Sequence, residues 1–201
     1  MYVIVEYMLT DYIAEVIESS TTEFTGQTRE LHEAPPFGTF IKVGSPVAVI
    51  GMVFDISTGS ADLNRRPIAY GKTEEELRNE QPQIFELLRT EIKAKIVGYC
   101  DQYGMRQQLP PQPPRLHHFV YTCTPQEVGD FTGTGNFDYL RTLAGIGGTL
   151  SDELLIAAVQ QTCRASQATS RQTLVEVGKE LARLLRDDYD RLQSILRRIV
   201  L

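Results

Sequence analysis

The chain has 201 residues, of which 42% are hydrophobic and 23% charged, ordinary values for a globular protein whose core is large enough to fold without disulfides. The formal net charge is −6, with 16 acidic and 10 basic residues over positions 1–108 and 10 of each over positions 109–201. A surface that grips nucleic-acid phosphates needs a basic excess, and neither half has one, so direct nucleic-acid binding is disfavoured.

The N-terminal stretch "YVIVEYM" (2–8) is rich in β-branched and aromatic residues and reads as a strand. Glu6 and Asp11 fall early and no basic run precedes them, which argues against a signal peptide. No apolar run approaches the roughly 18 residues that read as a membrane span. "GTFIKVG" (38–44) reads as a short strand between glycines, and "PVAVIGMVFDISTG" (46–59) as a longer one in which Gly51 marks a bulge or a sharp bend. "RPIAYG" (66–71) reads as another short strand. A helix follows, because Thr73 and Glu76 make a capping box with glutamates filling the first turn. Pro82 ends or kinks that helix, and "QIFELLR" (83–89) adds a further turn or two. In "EIKAKIVGY" (91–99), Glu91, Lys93 and Lys95 alternate with Ile92, Ala94 and Ile96, a strand with one wet and one buried face. Several short strands with glycine-rich turns indicate a small barrel or sandwich, and closure is favoured because open edges invite pairing with other chains.

"QQLPPQPPRLHHFVY" (107–121) holds four of the ten prolines within five positions. They make a stiff extended rod of roughly 15 Å at about 3.1 Å per residue. Its "PPQPPR" core also fits the pattern taken by proline-reading domains, but so short a match arises often by chance. The better reading is a rigid strap carrying the chain from the strands toward the helices, with "LHHFVYTC" (116–123) as one further strand.

The remainder reads as helical. "NFDYLRTLAG" (136–145) is a short helix closed by Gly145. A second helix starts at Ser151, with Asp152 and Glu153 in its first turn, and runs to residue 166. From Ser170 to the end, Leu174, Gly178, Leu181, Leu185, Tyr189, Leu192, Leu196 and Ile199 recur at close to the helical period, which predicts one long straight helix.

No reaction is legible. There is no P-loop and no nucleophile elbow. The glycine-rich stretches "GTGNF" (133–137) and "GIGGTLSD" (145–152) precede helices and could cradle an anion, but neither carries a lysine to reach a phosphate. His117 and His118 are adjacent and point to opposite faces of a strand, and Cys123 would still leave a metal site short of ligands. The three cysteines are widely spaced and read as free thiols in a reducing cytoplasm. Asp187 and Asp188 stand among arginines on what reads as a solvated helix face. The most specific loop is "DLNRRPIAYG" (62–71), where Asn64, Arg65 and Arg66 form a candidate partner-docking patch. No catalytic, cofactor or metal residue is expected.

The pattern "GTFIKVG…VIGMVFDISTG…RRPIAYGKTEEELR…LLRTEIKAKIVGY…LPPQPPRLHHFVY" resembles the HAS-barrel family, named for HerA-type ATPases and ATP synthase subunits, over residues 10–122. The likeness is to its stand-alone, cyanobacterial-type members. In HerA-type proteins that barrel precedes a motor domain, and in ATP synthase it joins subunits into a ring. The resemblance therefore implies an assembly module whose functional surfaces are barrel edges and loops, with no catalytic residue carried over. The expected architecture is α+β: a small closed β-barrel with one short helical insertion over 1–125, then a helical domain over 126–201. The expected role is non-enzymatic, through self-association or a protein partner such as a P-loop ring ATPase, without a membrane. The rival reading is a nucleotide- or phosphate-binding protein that uses its glycine-rich loops.

Overall fold

The structure, a computed structural model, describes residues 11–44, 46–62, 64, 66–133, 136–166 and 170–199. The strand expected at 2–8 lies outside the described residues. Seven strands are present among them: β1 (Ala14–Ser19), β2 (Glu23–Thr28), β3 (Phe40–Val43), β4 (Ala48–Ser60), β5 (Leu88–Asp101), β6 (Gly104–Arg106) and β7 (Phe119–Thr122). Every pairing is antiparallel, and the order β2-β1-β7-β3-β4-β5 is closed by β5 pairing back onto β2, which makes a six-stranded barrel with β6 as a hairpin extension of β5. Seven helices accompany it: α1 (Glu74–Glu80), α2 (Gln83–Glu86), α3 (Pro125–Thr132), α4 (Asp138–Ala144), α5 (Gly148–Ala165), α6 (Ser170–Leu184) and α7 (Tyr189–Arg198). The architecture is thus mixed α+β around a closed barrel.

The barrel interior is filled by Val16, Phe24, Ile41, Val49, Val53, Ile92 and Ile96, with small residues beside the one large ring. A Cβ on Gly51 would come within 3.0 Å of the Phe24 ring and 3.2 Å of the Ala94 Cβ, so the glycine makes room for that phenylalanine. The outward faces of β3, β4 and β5 are equally dry. Phe40, Ile50, Met52 and Val97 point away from the barrel and join one continuous core with Phe131, Tyr139 and Leu155 of the helices. That core crosses the boundary expected at residue 125. Two-sided burial explains why "VAVIGMVF" reads as an unbroken apolar run rather than an alternating one.

Two irregularities set which side chain faces which core. The β4–β5 register shifts at Ile50/Gly51, where the extra residue is Val97 on β5, and again at Val53/Asp55, where it is Phe54 on β4. The expected bulge at Gly51 is therefore present, on the partner strand. The rings of Phe40, Phe131 and Tyr139 lie 5.7–6.0 Å apart in tilted and edge-on contacts that tie barrel to helices. The Tyr139 hydroxyl reaches the Thr162 Oγ1 at 2.7 Å, and Thr162 in turn donates to the Ala158 carbonyl, so the buried phenol is satisfied. Lys42 of β3 pairs with Glu127 of α3 on the same wall. Burial alone would raise the Glu127 carboxyl, but Lys42 and the Thr124 N–H and hydroxyl outweigh it and hold the group below its ordinary value.

Several expectations need correction. "RPIAYG" forms no strand: residues 66–70 are irregular and exposed, because Pro67 lacks an N–H and no described strand pairs there. The proline strap joins β6 to β7, so it stays within the barrel instead of leaving it, and the strand after it inserts between β1 and β3. Pro110 and Pro114 are buried, and Gln107 donates to the Phe131 carbonyl at 2.8 Å, which clamps the strap to α3. Ser151 does not start a helix. It lies inside α5, fully buried, with its hydroxyl donating to the Leu143 carbonyl at 2.9 Å. The long final helix is two: the chain breaks after Leu184, and the Asp188 Oδ1 accepts the Arg191 N–H at 3.2 Å to cap a new helix. The inward face changes across that break, so Leu192 and Ile195 are buried while Tyr189 is 65% and Leu196 41% exposed.

Two predictions follow from these contacts. A Cβ on Gly98 would sit 2.3 Å from the Arg106 carbonyl and 2.5 Å from the Phe131 ring, whereas one on Gly59 meets nothing within 4 Å. Gly98→Ala is expected to cost about 3 kcal/mol in urea unfolding, and Gly59→Ala less than about 0.5 kcal/mol. The lowered Glu127 carboxyl contributes stability that is fully present above its ordinary value of 4.5 and fades as pH falls through the lower folded value. Wild type is expected to exceed Glu127→Gln by about 1 kcal/mol at pH 7, with the gap closing in acid.

Candidate functional site: an apolar cleft on the β4–β5 arm

β4 and β5 stay paired in unbroken register from Asp55↔Lys93 to Ser60↔Leu88, and past Glu91, where β2 leaves β5, they run on beyond the barrel rim as a two-stranded arm. Its base is fixed by a threonine cluster. Thr28 donates to the Thr90 carbonyl at 3.2 Å, Thr58 and Thr90 share a hydroxyl contact of 2.8 Å, and the His32 N–H reaches the Thr90 Oγ1 at 2.9 Å. The Ala61 N–H then closes onto the Leu87 carbonyl at 2.8 Å, so residues 61–87 form a loop with joined ends.

Within that loop the expected capping box is present: the Thr73 N–H donates to Glu76 at 2.7 Å and the Glu76 N–H returns to the Thr73 hydroxyl at 3.3 Å. The Thr73 N–H bond, more than the hydroxyl, lowers the Glu76 carboxyl. Arg78 bonds Glu74 at 2.8 Å and lies 4.3 Å over the Phe85 ring, and Lys72 pairs with Glu80. These local ties order the arm without giving it a core. Neither α1 nor α2 buries a residue.

The arm's apolar side chains instead line an open cleft of about 280 Å³, formed by Ser60, Arg66, Pro67, Ile68, Tyr70, Ile84, Leu87 and Leu88. Ile68 is 68% exposed, Leu87 49% and Tyr70 41%. Arg66 stands at this apolar lining with no ion-pair or hydrogen-bond partner among the described residues. Such a cleft can hold an apolar side chain of a partner while the guanidinium meets an adjacent carboxylate.

Of the docking patch read from sequence, Arg66 reaches the cleft. Asn64 sits in the exposed turn before it, where its N–H donates to Asp62 Oδ1 at 3.0 Å, and Arg65 lies outside the described residues. Sequence reasoning missed Ile68, Tyr70, Ile84, Leu87 and Leu88, which read as parts of a short strand or of helical turns. The proline before Ile68 and the glycine after Tyr70 were the signal that this stretch could not join a sheet.

The other chemical candidates do not converge. His117 takes a positive φ of 65° and its Nδ1 lies 2.5 Å from Glu15, while the His118 ring faces Gly44. Among the described residues no three or more His, Cys, Asp or Glu side chains cluster to hold a metal ion. Burial, with Glu127 adding to it and Lys42 opposing, pushes the Cys123 thiol up to about 12, and burial also raises Cys163. In "GIGG", Gly147 and Gly148 adopt positive φ of 79° and 65° in the turn that opens α5, while Thr134 and Gly135 of "GTGNF" lie outside the described residues. No described helix is long and apolar enough to cross a membrane.

No protein-family model matches the chain, and no curated protein matches it.

Since Ile68 is largely solvated, Ile68→Ser is expected to change unfolding free energy by less than about 0.5 kcal/mol. It should nonetheless lower the fluorescence of an apolar dye added to the native protein. A large stability loss would show that the arm is packed more tightly than its exposure indicates.

Proposed function

We propose that this protein is a non-enzymatic assembly module: a HAS-like barrel, braced by helices, that presents the β4–β5 arm to a protein partner. The observation that carries this reading is the arm itself, whose two helices bury nothing and whose apolar residues form a cleft beside Arg66, which has no partner among the described residues. An ordered element that leaves Ile68 and Leu87 in water has apolar surface to offer another chain. The occupant that fits is an extended segment of a partner protein with an apolar side chain for the cleft and a carboxylate for Arg66. A closed antiparallel barrel supports the HAS-like assignment, and that resemblance makes a P-loop ring ATPase of the HerA type the partner class to try first. The three thiols are unbridged, which supports a reducing cytoplasm as the setting. Net charge of −6 continues to disfavour direct nucleic-acid binding. The glycine-loop reading has less support, because the stretch 145–150 carries no lysine or arginine and its positive-φ glycines suit a plain helix-joining turn.

The test is affinity capture from the host's extract with wild type and with Ile68→Asp, using Val175→Asp on the exposed face of α6 as control. A ring ATPase is expected with wild type and the control, and at least tenfold less with Ile68→Asp. Equal recovery by all three removes the cleft as the docking site. Recovery of no ATPase removes that partner class.

A further inference from the structure

The arm has a second unoccupied feature, distinct from the cleft: one of its edges. Because the Ala61 N–H bonds Leu87, the two-residue alternation turns the backbone groups of Gly59, Ser57 and Asp55 toward β5 as well. The N–H and C=O groups of Ile56, Thr58 and Ser60 therefore point the other way. β3 occupies that side of β4 only from Val49 to Met52, and past Val53 no described strand pairs there. Asp55, Ile56, Ser57 and Thr58 are all exposed, and Ile56 is 40% exposed despite sharing a face with the buried Ile92. Neither proline nor lysine guards this run, so it is a straight template for strand addition.

We propose that this edge pairs with the same edge of a second copy, antiparallel about a two-fold axis through Ser57. The sequence is self-complementary in that register. Asp55 lies opposite Gly59, so no like charges meet. Ile56 lies opposite Thr58, a β-branched pair on the face that continues the barrel interior. The groups that point outward on one copy are those of Ile56 and Thr58, and the same residues face them on the other, so each such pair exchanges both of its backbone bonds. Slipping by two residues in one direction brings Met52, already paired with β3, into the junction; slipping in the other pushes Asp55 past the end of β4. A strand junction of this length buries less than the roughly 1,200–2,000 Å² of a standard interface, so the dimer forms at high protein concentration and exchanges readily. The proposal does not rest on the cleft reading, since Arg66 and Ile68 take no part in the junction.

The test is site-directed crosslinking. Across the axis the two Ser57 residues are a non-hydrogen-bonded pair, whose Cβ atoms lie about 4.5–5.5 Å apart, close enough for a disulfide once the backbone adjusts slightly. Ser57→Cys at about 100 μM under mild oxidation is expected to give a covalent dimer in more than half of the chains. Asp55→Cys, also exposed but off the axis, should give several-fold less. Ile56→Lys combined with Ser57→Cys should fold normally, because Ile56 is exposed and its N–H faces away from β5, yet lose the crosslink. Ile68→Asp should leave it unchanged. The proposal is overturned if Ser57→Cys stays monomeric in sedimentation and on non-reducing gels, or if Asp55→Cys crosslinks as well. It is equally overturned if the Ile56 and Thr58 amides are protected from exchange in a dilute monomer, which would mean that another part of the same chain covers the edge.

Discussion

One wall of the barrel is dry on both sides, and the rest of the molecule follows from that. Val49 and Val53 of β4 face the barrel interior, while Ile50 and Met52 face the helices. Each fully buried apolar side chain of this kind contributes about 1.5–3 kcal/mol, and on the outer face that stabilisation exists only while Phe131, Tyr139 and the α5 leucines stand against the wall. The helices are therefore part of what makes the barrel stable. The close approach is visible at Gly38, where a Cβ would fall 2.4 Å from the Ala157 Cβ, and at Gly98 under the Phe131 ring. The ion pair of Lys42 with Glu127 and the Gln107 bonds to the start of α4 and the end of α3 set the angle at which the layers meet.

The same wall explains the arm. A strand hydrophobic on both faces must be covered on both faces, and the bulge at Phe54 is where that coverage ends. Beyond it β4 has only β5 beside it among the described strands, β5 in turn loses β2 past Glu91, and the composition of β4 changes at once from "VIGMVF" to "DISTGS". The threonine cluster at Thr28, Thr58 and Thr90 holds the arm's base with hydroxyl bonds in place of packing. Apolar residues farther out along the arm, Ile68, Tyr70 and Leu87, have no core to enter and remain on the surface. Rigid body and exposed arm are a common division between stability and recognition, since loops held by a fixed scaffold carry most binding surfaces.

The sequence made local signals legible and left those that depend on partners hidden. The alternation from Glu91 to Ile96, the capping box at Thr73 and the irregularity at Gly51 are written in short windows, and all three stand in the structure. β1 and β2 were not read because "AEVIES" and "EFTGQT" carry few apolar residues; they are strands because β5 and β7 supply their pairing. α3 was overlooked although Thr124, Pro125 and Glu127 repeat the signal found at Thr73. The unbroken helix from Ser170 failed because a period near 3.6 survives a break of a few residues, and only the Asp188 cap reveals it. At the site, the polar residues Asn64, Arg65 and Arg66 drew attention, whereas Ile68 read only as part of a short strand. Exposure of an apolar residue is decided by whether a neighbour arrives, which no local pattern records.

The most direct test of the two-sided wall is native-state hydrogen exchange measured residue by residue across the folded protein. Amides of β4 between Val49 and Val53 and those of α5 between Leu155 and Val159 are expected to open together, with one shared free energy equal to that of global unfolding. Amides of α1 and α2 should exchange through a much cheaper opening. If the α5 amides opened several kcal/mol more easily than those of β4, the helices would be an independent unit resting on a self-sufficient barrel, and the shared two-sided wall would not be what holds the molecule together.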